Sequence, residues 1–322
     1  MKGISRVDAT LTQIIDRYKE LEFPLLRKSS QQARASRFKY LIDSPISELP
    51  MHQVCSEALD RWVVWLFQHP TCKDPQRSSF RQELKLMTTI LNWYRENYDY
   101  SYPIPILRRH RKRCFESSAS LRVPDYYMKP QEVLLWFKEL EKRPAIIYSQ
   151  LARFMILTGT RLGEACGLKW DALDTDFCHV RIIRTLSWDY VTKSPYFVEK
   201  VKTKAARRII QLPPSLQEMF CKMRHTSHSQ AIFVNNKGKL LSDNTIRANF
   251  NVAFKKLGLP WRGTHICRHT SGTLALLAKQ DIATVQALLG HSSIKQTQEY
   301  AKVVALQGTA VAQATEDFIG LS

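Results

Sequence analysis

Three stretches in the first hundred residues repeat apolar side chains at the spacing of an α-helix, and this periodicity constrains the fold more than any other feature. The segment Thr10–Glu22 places Leu11, Ile14, Ile15 and Tyr18 on one face. The same pattern recurs in Glu57–Gln68 and Gln82–Asn97. An amphipathic helix needs such a face to dock on a core, so these stripes indicate packing rather than ligand binding. They predict an all-helical N-terminal domain.

A helix-breaking segment separates this region from the rest of the chain. Pro103 and Pro105 prevent a helix from continuing through residues 98–106. Five fixed positive charges then fall within the six residues Arg108–Arg113, and the small, polar stretch Ser117–Pro124 follows. The pattern predicts a helical domain, a basic linker, a second domain and a tail, over residues 1–106, 107–126, 127–300 and 301–322 respectively.

The second domain mixes helical and strand-like patterns. Helices are predicted over Gln131–Lys142 and Ile146–Leu157. Strand-like spacing follows in Cys178–Thr185 and Tyr196–Leu212, the latter with a tight polar turn at Thr203–Ala206. Helical spacing returns from Asp243 onward. We therefore expect a mostly helical domain with one small antiparallel sheet inserted.

The chain is strongly basic, with 48 Lys and Arg against 29 Asp and Glu and a net charge of +19. Such an excess attracts polyanions and favours nucleic acid as a partner, although charge can also serve solubility alone. The linker charges have three interpretations: a solvated segment, a localisation-type signal, or a strap along phosphates. We favour the strap because each neutralised phosphate releases counterions. The candidate DNA contacts are Arg108, Arg109, Arg111, Lys112 and Arg113.

Several classes of protein are excluded by other features. The longest uninterrupted apolar run is Trp62–Phe67, far short of the roughly 20 residues that span a bilayer. The opening Met1–Arg6 lacks the apolar segment of a secretory signal. Seven cysteines form no CxxC pair, which predicts free thiols in a reducing cytoplasm. The segment His265–His269 is rich in ligand types, but no second cluster completes a shell, so we expect no metal site.

Two motifs of the second domain surround basic residues. Glycines flank Arg161 at a helix junction, and Glu164 is spaced to orient its guanidinium, an arrangement that also occurs in structural ion pairs. The turn Val201–Lys204 carries Lys202 and Lys204. Exposed lysines are common on hairpins, where they protect strand edges, so this signal alone is weak.

Two further motifs bring histidines and a tyrosine. His265 and Arg268 form an HxxR at the start of a helix, where one turn places both on the same face. In Leu289-Gly290-His291 the glycine ends a helix and exposes His291 at a turn. Tyr300 follows nine positions later and could by itself be an ordinary core or surface tyrosine.

Taken together, the four motifs resemble the tyrosine recombinase (phage integrase) family. The family pattern is Arg, Lys, His-x-x-Arg, His or Trp, then Tyr, and the chain supplies every position in order. The specific pieces are Thr-Gly-x-Arg-x-x-Glu at 158–164 and Leu-Gly-His-x(8)-Tyr at 289–300. The resemblance covers residues 127–300 and, more loosely, the helical domain. One departure is Lys302, where many members carry a histidine, but that position is peripheral to the chemistry.

The resemblance implies a fold and an activity. The fold is mainly α with a small antiparallel β-sheet: an all-helical N-terminal core-binding domain and an α+β catalytic domain, which form a clamp around DNA. The implied activity is site-specific recombination, for integration or excision of a mobile element, through a covalent 3′-phosphotyrosyl intermediate. That bond conserves the energy of the cleaved linkage, so we expect no cofactor and no metal.

The resemblance also implies a role for each motif residue. Arg161 and Arg268 would clamp the non-bridging phosphate oxygens, and His291 would donate a further hydrogen bond. Tyr300 would be the nucleophile and His265 its general base. The remaining roles are a general acid, a fallback for it and an orienting carboxylate, assigned to Lys202, Lys204 and Glu164.

The expected partners are double-stranded DNA with specific recombination sites and further copies of the chain, as a tetramer on two duplexes. An accessory directionality factor is a further candidate. The tail, residues 301–322, could dock on a neighbouring subunit, which we favour, or pack on its own domain. We expect a cytoplasmic, nucleoid-associated protein. Two alternatives stay open: a type IB-like topoisomerase, and a non-catalytic DNA-binding accessory protein on a recombinase fold.

Overall fold

The chain forms two compact units, Met1–Ser120 and Leu121–Ser322. A computed structural model describes residues 9–26, 28–68, 79–115, 127–189, 192, 194–199, 201, 204–294, 297–298 and 300–301; the side chains of residues 29 and 204 are not described. None of the described helices is both long enough and apolar enough to span a bilayer.

Among its described residues, the N-terminal unit contains helices, turns and one isolated β-bridge between Thr10 and Pro50. Its helices are α1 (Leu11–Leu21), α2 (Lys28–Ala35), α3 (Lys39–Ile42), α4 (Ser56–Gln68), α5 (Arg81–Asn97) and α6 (Arg108–Phe115), with 3-10 turns at Phe23–Leu25 and Met51–Gln53. The three predicted helices are confirmed as α1, α4 and α5. Their apolar stripes meet in one core, where Trp62 is fully buried and donates its indole N–H to the carbonyl of Tyr40 (2.8 Å).

The prediction of a linker over residues 107–126 is wrong for its first part, because the basic run forms helix α6 of the N-terminal unit. His110 and Cys114, one turn apart, are fully buried in or against that unit's core. The amide of Leu107 donates to His110 Nδ1 (3.0 Å), so His110 Nε2 carries the proton that it shares with Asp60 (3.1 Å). The buried side chains of His110 and Cys114 thus hold this helix against the core, although most of its residues are Arg or Lys. Residues 116–126 lie outside the described part.

The C-terminal unit contains most of the larger helices: α7 (Pro130–Glu141), α8 (Ile147–Thr158), α9 (Leu162–Cys166), α10 (Pro214–Thr226), α11 (Asp243–Lys256), α12 (His265–Leu277) and α13 (Ile282–Leu289), with 3-10 turns at Trp170–Ala172 and Lys204–Ala206. The helices predicted before the strands are confirmed as α7 and α8. Trp136 of α7 lies at the centre of the core, edge-on to Phe250 and Phe254 of α11 (centroids 4.9 and 5.2 Å).

The β-structure differs from the predicted single sheet. Four short strands, β1 (His179–Ile182), β2 (Thr185–Trp188), β3 (Pro195–Val198) and β4 (Arg208–Gln211), form two antiparallel pairs. The pair β2–β3 is nested between β1 and β4, with Val180 opposite Ile210 and Leu186 opposite Phe197. The predicted hairpin over Tyr196–Leu212 is therefore wrong, since its two arms pair with different strands. Three of the four residues predicted to form the turn, Lys204–Ala206, instead form a short 3-10 helix that leads into β4.

Two helix ends place the site motifs. Gly159 ends α8 in the left-handed conformation (φ +63°), where a side chain would collide with Leu289 of α13. Gly290 ends α13 in the same conformation (φ +65°), so the chain turns sharply into His291. Only glycine adopts this conformation without strain. Gly159 and Gly290 thus allow the start of α9, the middle of α12 and the end of α13 to lie close together.

Candidate active site

The predicted site residues of the C-terminal unit converge on the N-terminal half of α12. His265 and Arg268 lie on its first turn, and Arg161 lies at the junction of α8 and α9. Tyr300 reaches the same place from beyond α13, against α12. Lys202 lies outside the described residues. Lys204 belongs to the 3-10 helix before β4, and its side chain is not described.

Arg161 is held by the carboxylate that the sequence predicted for it. The residue precedes α9, and its guanidinium contacts Glu164 (Nη1 to Oε1, 2.7 Å). Glu164 also accepts the backbone N–H of Arg161 (3.1 Å). Burial favours a raised pKa for Glu164, but the charges of Arg208 and Arg161 outweigh it and hold the pKa below its usual value. The Arg161 side chain stays 38% exposed, so its remaining donors can reach a ligand.

Arg268 is the most deeply buried charge of the site, at 3% exposure. Its Nη1 donates to the carbonyl of Gly159 (2.9 Å). Its Nη2 is buried and has no hydrogen-bond acceptor of normal geometry among the described residues. The guanidinium nevertheless lies close enough to the Tyr300 phenol for a contact that acts to lower the pKa of Tyr300. Burial and the nearby charge of Arg161 lower the pKa of Arg268 to about 10, which still leaves it charged at neutral pH. A buried guanidinium with an unused donor is suited to an anion that arrives from outside.

His265 begins α12 and keeps part of its side chain exposed. Desolvation of the ring, and then the positive charges of Arg268 and Arg161, lower its pKa. A neutral imidazole at pH 7 can accept a proton, which suits a general base.

His291 and Tyr300 form a stacked pair. Their ring planes differ by 10° and their centroids lie 5.9 Å apart. His291 Nδ1 shares a hydrogen bond with the Thr297 hydroxyl (2.9 Å), which fixes the orientation of the ring. Burial, and then the charge of Arg268, lower the pKa of His291 to about 4. The ring is therefore neutral at pH 7.

Tyr300 is 3% exposed and packs with Val285 and Leu289 of α13. Burial raises the pKa of its phenol above the usual value, although the charges of Arg268 and Arg161 act in the opposite direction. The phenol is therefore protonated at pH 7, and it lies within the field of two arginines.

The sequence reasoning missed two residues of this site. His269, one turn after His265, lies beside Tyr300 (ring centroids 5.5 Å), and burial lowers its pKa to about 4. The sequence offered one indication of a role for His269, namely that it directly follows Arg268 on the same helix. Arg208 of β4 is buried against Glu164 (3.0 Å). An arginine at an inward-facing strand position was its only sequence signal, and Arg207 beside it obscured that signal.

No group of three or more His, Cys, Asp or Glu side chains that could hold a metal ion occurs within the described ranges. The charged groups of the site are arginines and a single carboxylate, and its histidines are neutral at pH 7. Such a set binds an anion rather than a cation.

Among curated proteins, the chain is similar to the tyrosine recombinase XerC-like protein of Caldanaerobacter subterraneus subsp. tengcongensis, with 30% identity over 182 residues, covering 50% of this chain and 46% of that protein. It is also similar to the tyrosine recombinase XerC of Leptospira interrogans, with 42% identity over 151 residues, covering 45% of this chain and 43% of that protein. The chain spans about half the length of the curated relatives it matches.

Among solved structures, the chain is similar to the Tn1549 transposon integrase in complex with transposon right end DNA, with a TM-score of 0.74 and 15% identity over 91% of this chain and 94% of that one. A lambda integrase tetramer bound to a Holliday junction gives a TM-score of 0.60 and 17% identity over 92% of this chain and 78% of that one. At these identities the likeness concerns the fold, and it confirms the predicted fold class.

The profile of the phage integrase family matches residues 127–306. The match extends over more than half of the chain and includes every catalytic residue predicted between Arg161 and Tyr300. This protein belongs to the phage integrase family.

Proposed function

We propose that this protein is a site-specific DNA recombinase that cleaves and rejoins DNA strands through a covalent bond between Tyr300 and a 3′-phosphate. One observation carries the proposal: a buried tyrosine lies beside Arg268, whose Nη2 has no acceptor among the described residues. A phosphodiester supplies both the missing acceptor and the electrophile. Similarity to tyrosine recombinases and integrases, some of them solved with DNA, supports the same reading.

The arginines would stabilise the transition state. Attack on a phosphodiester adds negative charge to the non-bridging oxygens, and fixed donors aimed at that charge supply the largest catalytic effect in many enzymes. Arg268 offers Nη2, which has no acceptor within the described ranges, and Arg161 offers the donors that Glu164 does not accept. With its Nδ1 engaged by Thr297, His291 can present Nε2 to the same phosphate.

Proton transfer would accompany both steps of strand exchange. Ionising an ordinary tyrosine at pH 7 costs about 4 kcal/mol, and burial adds to that cost here. His265, whose pKa is lowered, would take the phenolic proton as Tyr300 attacks phosphorus. The P–O5′ bond breaks, and Lys202, or Lys204 as the fallback, would protonate the departing 5′-oxygen. Attack by the 5′-hydroxyl of another strand reverses these transfers, so no net oxidation or hydrolysis occurs.

The rest of the chain would bind and assemble on DNA. The net charge of +19 suits a polyanionic partner. The N-terminal unit with Arg108, Arg109, Arg111, Lys112 and Arg113 and the catalytic unit would form a clamp on the duplex. A tetramer on two duplexes, a tail from residue 301 docked on a neighbouring subunit, an accessory directionality factor and residence at the nucleoid complete the proposal.

Covalent capture tests it. Nicked duplexes covering the DNA that flanks the reading frame of this protein trap a cleaved strand, because the short 5′-product diffuses away. We expect an adduct that resists SDS, forms with wild type and the control Tyr196→Phe, and is absent with Tyr300→Phe. The adduct position maps the cleavage site.

Each outcome has a defined meaning. An adduct that persists in Tyr300→Phe would refute the assignment of the nucleophile. If the wild type binds DNA tightly but forms no adduct, the proposed enzymatic activity would be contradicted and a DNA-binding accessory protein would be favoured. Relaxation of any supercoiled plasmid, without joining of two sites, would replace the recombinase by a topoisomerase activity.

A further inference from the structure

The guanidinium of Arg208 contacts two distant segments of the C-terminal unit and a carbonyl just before its own strand. Its Nη2 donates to Glu164 Oε2 (3.0 Å), its Nε to the carbonyl of Leu288 (2.6 Å), and its Nη1 to the carbonyl of Ala206 (3.1 Å). The side chain is only 6% exposed. It therefore lies beneath the site, not on the surface that a DNA phosphate would reach.

Each of these segments adjoins a residue of the proposed chemistry. Glu164 is the carboxylate that holds Arg161. Leu288 belongs to the last turn of α13, three residues before His291. Ala206 ends the 3-10 helix that includes Lys204 and follows Lys202 in the chain. One side chain thus contacts the supports of Arg161 and of His291, which are far apart in sequence, and also the end of the 3-10 helix before its own strand.

Close packing couples the His291 turn to the same guanidinium. A Cβ added at Gly290 would lie 2.8 Å from the carbonyl oxygen of Ala205 and 3.1 Å from Arg208 Nη1. The turn consequently rests on Arg208 and on the 3-10 helix, with no room for a side chain between them. A displaced Arg208 would shift the turn, because packed interiors transmit small displacements.

The charges of this network also depend on Arg208. Glu164 is almost fully buried and is the shared partner of Arg161 and Arg208. Loss of Arg208 would leave the whole carboxylate to Arg161, and its guanidinium could then turn inward and away from a ligand. The carbonyls of Leu288 and Ala206 would lose the arginine N–H groups that they accept.

We propose that Arg208 is a positioning residue of the recombination reaction. It fixes Arg161 through Glu164 and the His291 turn through Leu288. It touches neither DNA nor the reacting atoms. The inference rests on the proposed function and adds a residue that the family pattern of Arg, Lys, His-x-x-Arg, His and Tyr does not contain.

The test compares Arg208→Gln with Arg207→Gln, which removes the same charge from the adjacent, exposed position. The measurement is the single-turnover rate constant of adduct formation on the nicked duplex at saturating protein. We expect a loss of about 100-fold for Arg208→Gln, the size that a misplaced catalytic group produces, and a change of less than about twofold for Arg207→Gln. DNA affinity should change less than about threefold in both variants, since the phosphate contacts remain.

Two further readouts separate positioning from folding. A folding defect lowers the amplitude of the reaction, whereas misplacement lowers its rate constant. Arg161→Lys should also reduce the rate less in the Arg208→Gln background than in wild type, because coupled residues are not additive. Full additivity, or a wild-type rate constant in Arg208→Gln, would overturn the inference.

Arg208→Lys keeps the charge but not the three-way fork and covers the case in which Arg208→Gln does not fold. We expect it to fold and to lose at least about tenfold in rate; a wild-type rate would show that charge alone suffices and would also overturn the inference. A wild-type protein that forms no adduct would instead contradict the proposed function, so the two failures are distinguishable.

Discussion

The two units of this molecule use arginine in opposite ways. On α6, Arg109 lies at the surface and donates to the carboxylate of Asp60 with two nitrogens (2.7–3.1 Å). Buried His110 (3.1 Å) and Arg113 (3.6 Å) contact the same carboxylate. In the C-terminal unit, Arg268 is buried and its Nη2 has no acceptor among the described residues, and Arg161 shares the carboxylate of Glu164 with Arg208. The described residues thus provide a carboxylate acceptor for the guanidinium of Arg109 but no acceptor for Nη2 of Arg268.

This difference separates a structural charge from a functional one. An unpaired buried charge destabilises a fold, so a protein retains one where something else depends on it. The sequence alone makes the α6 run look like the binding site, because it is dense in charge. In the structure, the buried guanidinium nitrogen without an acceptor among the described residues belongs to Arg268, in a segment with a single arginine.

The largest effect that would sharpen this comparison is on cleavage. Arg268→Met should lower the rate of adduct formation by at least about 10³-fold, because it removes a buried donor aimed at the transition-state charge. Binding to the duplex should fall only a few-fold, since many phosphate contacts remain. Single-turnover assays on the nicked duplex measure the rate, and gel shifts measure the binding.

Arg109→Met is the matched control for that experiment. It removes an arginine that is already paired, and we expect the wild-type cleavage rate at saturating protein. Equal rate losses in Arg268→Met and Arg109→Met would mean that the contrast between the units has no catalytic meaning.

A smaller effect is expected on the pH dependence of stability. The pKa of folded His291 is lowered to about 4 by burial, whereas an unfolded histidine titrates near 6.5. Between these values the unfolded chain binds more protons, so stability is complete above about pH 6.5 and is lost as the pH falls toward 4. After allowance for solvent screening, His291 should contribute a loss of about 1 kcal/mol at pH 5.5.

Urea unfolding of the C-terminal unit at pH 7.5 and pH 5.5 measures this loss. His291→Gln should reduce the difference between the two pH values, and the control His228→Gln, which changes an exposed histidine of the same unit, should leave it as in wild type. A pH dependence unchanged by His291→Gln would assign the loss to other groups, with His269 the next to test.

An anion should stabilise the catalytic unit by a comparable amount. If Arg268 binds a phosphate of DNA, inorganic sulfate should bind at the same place. At ten times its dissociation constant, sulfate should raise the free energy of unfolding by about 1.4 kcal/mol. Sulfate also stabilises proteins in general, so the informative quantity is the excess over Arg268→Met. Arg268→Met removes a buried charge but also the hydrogen bond to the Gly159 carbonyl, so the two proteins are compared by their response to sulfate and not by their stability without it. Equal responses of both proteins to sulfate would contradict an anion site at Arg268.

What could be predicted from the sequence follows from how local each signal is. The helices α1, α4, α5, α7 and α8 were predictable because each carries its own apolar stripe. Arg161, His265 and Arg268 were singled out only because their motifs together resemble the family pattern, and their catalytic roles stay predictions. The strand pairing was not, since β3 and β4 are adjacent in sequence but bond to different partners. Arg208 was missed because its role depends on Glu164 and Leu288, both distant in the chain.

The smallest expected effect concerns the basic helix itself. Arg109 and Arg111 lie two positions apart on α6, both exposed, but the structure gives Arg109 a carboxylate partner and gives Arg111 no ion pair among the described residues. If this helix lies along phosphates, Arg111→Gln should weaken DNA binding by a few-fold and reduce the salt slope by about one. Arg109→Gln should do less, because Asp60 already neutralises that guanidinium. Titrations of a fluorescent duplex at several salt concentrations measure both quantities. If Arg109→Gln weakens DNA binding as much as Arg111→Gln does, DNA must displace Asp60 from Arg109. The guanidinium of Arg109 would then be as accessible to phosphate as we propose for Arg268.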